Sequence, residues 1–196
     1  MSTRTYLTGF ALVTALLSAP AYAQPSDWAV DLAHSQVGFS VPHMVISEVE
    51  GKFKTFQGKV VLDEKDPTKS QVEFSIDATS IDTDNDERDK HLRSADFFDV
   101  QKFPKLTFKA TKISKAGKAY KLKGDLTIRG VTKEVTLDAT LSEAVQNPWG
   151  KLVRGVKVSG KIKREDFGLT WNKALDKGGV VVGNEVSIEV RLELNK

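Results

Sequence analysis

The chain has no cysteine, two methionines, three histidines and six prolines among its 196 residues. Without cysteine there is no disulfide framework, no zinc-thiolate centre and no cysteine nucleophile. Charge of one sign is also scarce. The 29 Lys and Arg stand against 26 Asp and Glu, a net +3 with no basic run, which argues against a nucleic-acid binder. No apolar stretch reaches the roughly 18 residues that a membrane-spanning helix needs, and repeats and low-complexity tracts are missing. What is present is a 40% hydrophobic chain with mixed charges. That suits one globular domain with a core and excludes a disordered chain.

The longest apolar run lies at the N-terminus. Arg4 precedes Tyr6–Leu17, and Ser18, Ala19 and Pro20 lead to the small-residue pattern Ala21-Tyr22-Ala23. A positive start, a short apolar centre and an A-x-A site predict a secretory signal peptide over residues 1–23, cleaved after Ala23. Residues 24–196 then form the mature domain, exported to the periplasm or secreted. Export without cysteine leaves burial to supply the stability.

Period-2 alternation dominates the mature chain. It is cleanest in Val186, Ile188, Val190, Leu192 and Leu194, which alternate with Ser187, Glu189, Arg191 and Glu193. Similar runs predict eight strands at about 28–41, 51–62, 71–77, 106–113, 120–128, 134–141, 152–162 and 185–194. One wet and one buried face is an antiparallel signature. Turn signals at Asp66-Pro67, Ala116-Gly117-Lys118, Arg129-Gly130, Asn147-Pro148 and Gly178-Gly179 separate the runs. Eight such strands favour a closed barrel over a sandwich, and a barrel of that size holds one small ligand. Gly124, Ala139, Gly160 and Ala110 fall at inward positions, where small residues leave space.

The segment 82–99 breaks the alternation. Asp84, Asn85, Asp86 and Glu87 come early and Arg88, Lys90, His91 and Arg93 late. This suits a helix dipole, with Asp84 or Asn85 as the N-cap. The spacing predicts one α-helix over about 84–98 that covers the barrel and docks through Leu92 and Ala95. A calcium loop starting at Asp82 fails, because Glu87 replaces the required glycine and Arg93 stands at its twelfth position.

Catalytic patterns are scarce. There is no G-x-S-x-G, no phosphate loop and no H-E-x-x-H, so the reading is a binding protein, not an enzyme, without a cofactor or metal. The alternative is an envelope enzyme, metal-dependent or histidine-based, using His34, His43 and His91. Lys121, Lys123, Lys157 and Lys161 alternate with buried positions and read as a solvated barrel exterior.

Several ordered segments carry a family resemblance. The first is Trp28-x-Val30-Asp31-x-x-His34-Ser35-x-Val37-x-Phe39-Ser40-Val41-x-His43-Met44, followed by Val49-x-Gly51-x-Phe53-x-x-Phe56-x-Gly58. Ser80-Ile81-Asp82-Thr83 and Arg88-Asp89-x-His91-Leu92-x-Ser94-x-Asp96-Phe97-Phe98-Asp99 come next. Phe103-Pro104, Leu122-x-Gly124-Asp125-Leu126-Thr127-Ile128-x-Gly130-Val131-Thr132-Lys133, Arg164-x-Asp166-Phe167-Gly168-Leu169-x-Trp171 and Val182-Gly183-x-x-Val186 complete the set. In these the chain resembles the YceI family of exported lipocalin-like proteins. The resemblance implies an extended eight-stranded antiparallel barrel. It also implies a hydrophobic small-molecule ligand in the barrel interior: a polyisoprenoid, an isoprenoid quinone precursor or a fatty-acid-like amphiphile. The oligomeric state stays open, a homodimer included.

The inward set Phe39, Phe74, Ile76, Phe108, Tyr120, Leu122, Leu126, Ile128, Leu137 and Val158 is the expected lining. Phe97, Phe98 and Trp171 are expected at the mouth or under the helix. His34, Arg88 and Asn172 are the candidates for receiving a polar head group.

Overall fold

The structure, a computed structural model, describes residues 25–176 and 178–196. The expected signal peptide, residues 1–23, lies outside the described residues. Alternation puts apolar side chains on one face of each strand, and that face is buried when the strands pair in a ring. The strands are β1 (Ser26–His43), β2 (Ser47–Phe53), β3 (Phe56–Leu62), β4 (Gln71–Asp77), β5 (Ile81–Asp82) and β6 (Lys105–Ala116). They continue as β7 (Ala119–Ile128), β8 (Val131–Leu141), β9 (Val145–Gln146), β10 (Leu152–Lys163) and β11 (Glu185–Asn195). The order is β11-β10-β8-β7-β6-β4-β3-β1, and antiparallel pairing of β1 with β11 closes the ring. Among the described residues this is an all-β, eight-stranded antiparallel barrel with a single α-helix, as the alternation predicts.

Two departures from the expected strands have local causes. The strand expected at 51–62 is bent into β2 and β3. Lys54 and Thr55 leave the ladder and donate their N–H groups to the Ser80 carbonyl and hydroxyl, at 3.1 and 3.0 Å. β1 bulges between Asp31 and Gln36, where its register with β11 shifts. There Asp31 Oδ1 accepts the N–H groups of Ala33 and His34 at 2.9 and 3.3 Å.

The helix is shorter than expected. α1 (Asp86–Arg93) has eight residues, with Asn85 as its N-cap accepting from Arg88 N–H. It stops because the Ser94 hydroxyl and N–H both go to the His91 carbonyl. The Phe98 N–H then bonds the Leu92 carbonyl at 3.0 Å, so Phe97 and Phe98 lie in the turns that follow, not on the helix.

Register distinguishes the two ends of the barrel. At one end lie the pairs His43↔Ser47, Ile128↔Val131 and Lys163↔Glu185. At the other lie Ser26↔Leu62, Ala116↔Ala119 and Val153↔Asn195. The second end is the base. Trp28 is 2% exposed and Leu194 1%, and both belong to one core cluster with Val60 and Leu62. The Arg154 guanidinium and the Lys196 ammonium lie 5.7 and 5.8 Å from the Trp28 ring. On the outer wall, lysines meet carboxylates across strands: Lys109–Glu73, Lys121–Asp138, Lys123–Glu134 and Lys161–Glu185 are 2.6–2.9 Å apart. Four exterior lysines are thus neutralised by neighbours.

Candidate functional site

Between the base and the helix the barrel is hollow. A cavity of about 200 Å³ is walled by β1, β2, β4, β6, β7, β8, β10 and β11, and by the segments around α1. Its depth depends on how large side chains lie against the wall. A Cβ on Gly51 would overlap the Phe39 ring, and one on Gly58 would come within 2.6 Å of the Phe74 ring. The same holds for Gly124 beneath Phe108 at 2.7 Å and for Gly160 beneath Leu137 at 2.5 Å. Phe39↔Gly51 and Phe74↔Gly58 are direct cross-strand partners. Each glycine therefore gives a neighbouring side chain room to lie flat, away from the axis. The expectation was that small inward residues would themselves leave space. Instead Gly124 and Gly160 are covered, and the void lies in front of the side chains covering them.

Of the expected lining, Phe39, Phe74, Ile76, Phe97, Phe98, Phe108, Leu122, Leu126, Ile128, Leu137 and Val158 all lie on this wall. Tyr120 does not. It packs beside the cluster of Leu122, Leu137 and Ala139, towards the base end of β7. Trp171 is also off the wall, with its ring 4.8 Å from His91 and 5.3 Å from Phe97. It is a support behind Phe97.

None of the three head-group candidates lines the cavity. His34 projects outward at the β1 bulge, with Nδ1 3.0 Å from Asp31 Oδ2. Hydrogen bonding to Asp31, with the nearby Glu193 charge, raises the His34 pKa above its ordinary 6.5. The Asp31 carboxyl is correspondingly held below 3.8. Arg88 is spent on Thr83, donating to its hydroxyl and its carbonyl at 2.8 and 2.6 Å. The Asn172 side chain closes the Val182 backbone, donating to its carbonyl at 2.8 Å and accepting its N–H at 3.1 Å.

The histidines expected for an enzyme alternative are also dispersed. His43 bridges Val182 at the end of β1, and His91 pairs with Asp96 at 2.9 Å. Among the described residues, one His-and-carboxylate group brings its ligand atoms within 4.8 Å of one another: Asp31, His34 and Glu193. It includes neither His43 nor His91.

Sequence reasoning missed one charged wall residue. Arg164 lines the cavity yet is 5% exposed. Its Nε donates to Gly183 O at 2.9 Å, Nη1 to the carbonyls of Leu169 and Trp171, and Nη2 to Val182 O at 3.3 Å. Burial pulls its pKa down from the ordinary arginine value. The guanidinium thereby ties the loop after β10 to the segment leading into β11. The same device recurs nearby: Arg93 donates to Thr79 O and Ile81 O, and Arg129 to Ala95 O and Gly168 O. Arginine–carbonyl bonds hold this end together, where apolar packing would have filled the void. Also missed were Val37, Phe53, Leu106, Ile188 and Leu192 on the wall. Their alternation was visible in the sequence; only closure of the barrel placed them on the cavity.

Comparison with known proteins agrees with this architecture. The YceI-like domain model matches residues 28–194. Protein YceI of Salmonella newport is 42% identical over 166 residues, covering 84% of this chain and 86% of that protein. The crystal structure of Burkholderia cenocepacia BcnA superposes with a TM-score of 0.74 at 28% identity, over 84% of this chain and 98% of that one. A polyisoprenoid binding domain from Saccharophagus degradans shares the fold, with a TM-score of 0.60 at 16% identity over 85% and 97% of the two chains. A barrel closed around an apolar cavity, and a match along nearly its whole length, place this chain in the YceI-like family.

Proposed function

We propose that the protein is an exported carrier that holds a long apolar chain in the barrel, with no chemical step. The observation that carries this reading is the cavity itself, where phenylalanine rings are drawn back onto glycines and, among the described residues, Arg164 is the one charged wall residue. Apolar burial is the available driving force. Ten methylenes leaving water gain roughly 8 kcal/mol gross, before ordering costs. The polyisoprenoid binding domain of Saccharophagus degradans supports a prenyl chain as cargo, and a fatty-acid-like amphiphile fits the same wall. The pattern of Arg4, Tyr6–Leu17 and Ala21-Tyr22-Ala23 supports export to the periplasm or beyond.

The test is to purify the exported protein, extract it with organic solvent and weigh the extract by mass spectrometry. Stoichiometric prenyl or acyl lipid is expected. Folded, lipid-free protein that takes up no prenyl chain would overturn the reading. Leu126→Trp checks the location, since Leu126 is buried on the wall. The indole fills the void, so uptake falls while the fold persists. Unchanged uptake would place the cargo elsewhere.

A further inference from the structure

The β1–β2 turn is apolar where a hairpin is ordinarily polar. Val45 is 77% exposed and Ile46 85%, with Met44 and Val180 also exposed. Met44 and Val45 both adopt left-handed backbone, at φ 51° and 65°. That region is unfavourable for a β-branched residue, and Asn or Gly is the ordinary choice. An exposed valine at positive φ lowers neither the strain nor the solvation cost of the folded chain.

The turn is not isolated. Met44 N–H donates to Val181 O at 2.9 Å, and His43 bridges Val182. A Cβ on Gly179 would lie 3.3 Å from Val45 and 3.9 Å from Leu175. The 44–46 turn therefore forms one apolar tip with Leu175, Gly179 and Val180. Directly beneath it, Val41 and Val182 are cavity-wall residues and only half-buried. The tip thus continues the apolar surface of the cavity outward. An exposed aromatic, Trp149 at 83%, sits in the turn before β10 at the base end, away from the cavity.

We propose that the tip formed by Met44, Val45, Ile46 and Val180 inserts into a lipid bilayer, docking the cavity end of the barrel on the membrane. The choice of a bilayer over a protein rests on the carrier reading, because an apolar chain exchanged through this end meets no water only if that end is itself embedded. Aliphatic side chains without a fixed hydrogen-bond pattern suit acyl chains.

The experiment is flotation of the mature chain with vesicles of phosphatidylethanolamine and phosphatidylglycerol. The double variant Val45→Asn/Ile46→Ser removes the apolar surface and places at position 45 a residue that accepts φ > 0, so folding is preserved. Binding by the native chain is expected, with a loss of about tenfold or more in the double variant and little change in Trp149→Ala. A native chain that does not float, or a double variant that floats equally well, would overturn the proposal. Loss of binding in Trp149→Ala would reassign the contact to the base end. Dimerisation abolished by the double variant, without flotation, would assign the tip to a second copy of the chain and overturn the bilayer. Extracting lipid from the same preparations separates the readings: protein that floats but carries no lipid sinks the cargo and leaves the dock.

Discussion

Trp28 and Phe39 stand on the same strand, yet the barrel is solid at one and hollow at the other. Around Trp28, the branched side chains Val60, Leu62 and Leu194 fill the axis, and two cations close the outside. Around Phe39, the cross-strand partner is Gly51, so the ring lies against the wall. The β1 bulge between Asp31 and Gln36 and the break at 54–55 fall between these regions. The difference teaches that apolar content does not decide whether an interior is packed. The residue facing each large side chain does.

The sharpest way to break this contrast is truncation at each end. Trp28→Ala should cost about 3–5 kcal/mol, the range for a large buried aromatic. Phe74→Ala should cost nearer 2 kcal/mol, because one face of that ring already lacks partners. Equal costs in urea denaturation would mean that the cavity is not a void. Cargo acts on the hollow half next. A chain held at about a hundred times its Kd adds about 2.7 kcal/mol. Stripping the protein with detergent should lower Tm, and adding prenyl lipid should restore it. Hydrogen exchange should slow in β6–β8 more than around Trp28 when lipid binds; uniform slowing would argue against cargo confined to one half.

A smaller effect is expected at Gly58. Gly58→Ala pushes the Phe74 ring off the wall at a cost of about 1 kcal/mol, and uptake of the apolar chain falls with the lost volume. Unchanged uptake would show that Phe74 has another place to go. The smallest effect lies at the junction between the halves. His34 gains its charge from Asp31 and has a raised pKa, so its contribution is complete below its ordinary 6.5 and is lost as pH rises through the raised value. Asp31 is lowered, so its contribution is complete above 3.8 and is lost as pH falls through the lowered value. The difference in Tm between the native chain and His34→Gln should therefore be largest between pH 3.8 and 6.5. A difference that does not vary with pH would mean that the pair is not what holds the bulge.

Much of the fold was legible in the amino-acid order, because alternation records which face of a strand is wet. The eight predicted stretches are the eight staves of the barrel, with 51–62 bent where Ser80 captures Lys54 and Thr55. The wall was legible to the same degree: Phe74, Phe108, Leu126 and Leu137 were inward by pattern alone. Polar side chains were not. His34, Arg88 and Asn172 offered functional groups but no signal that Asp31, Thr83 and Val182 would occupy them. Arg164 offered no signal of burial, since the four carbonyls that solvate it, of Leu169, Trp171, Val182 and Gly183, gather around it only in the folded chain. Tyr120 failed for a geometric reason. It faces inward, but at the end of β7 that the cavity does not reach.

What the sequence determined by itself is therefore the sidedness of each strand, the position of the turns and the absence of disulfide or thiolate chemistry. Those depend on local periodicity and on residue type, and need no knowledge of partners. Only the tertiary structure decided that the interior is hollow. A glycine and a phenylalanine distant in the chain become neighbours through register, and whether that ring fills the axis or leaves it open depends on what stands beneath it.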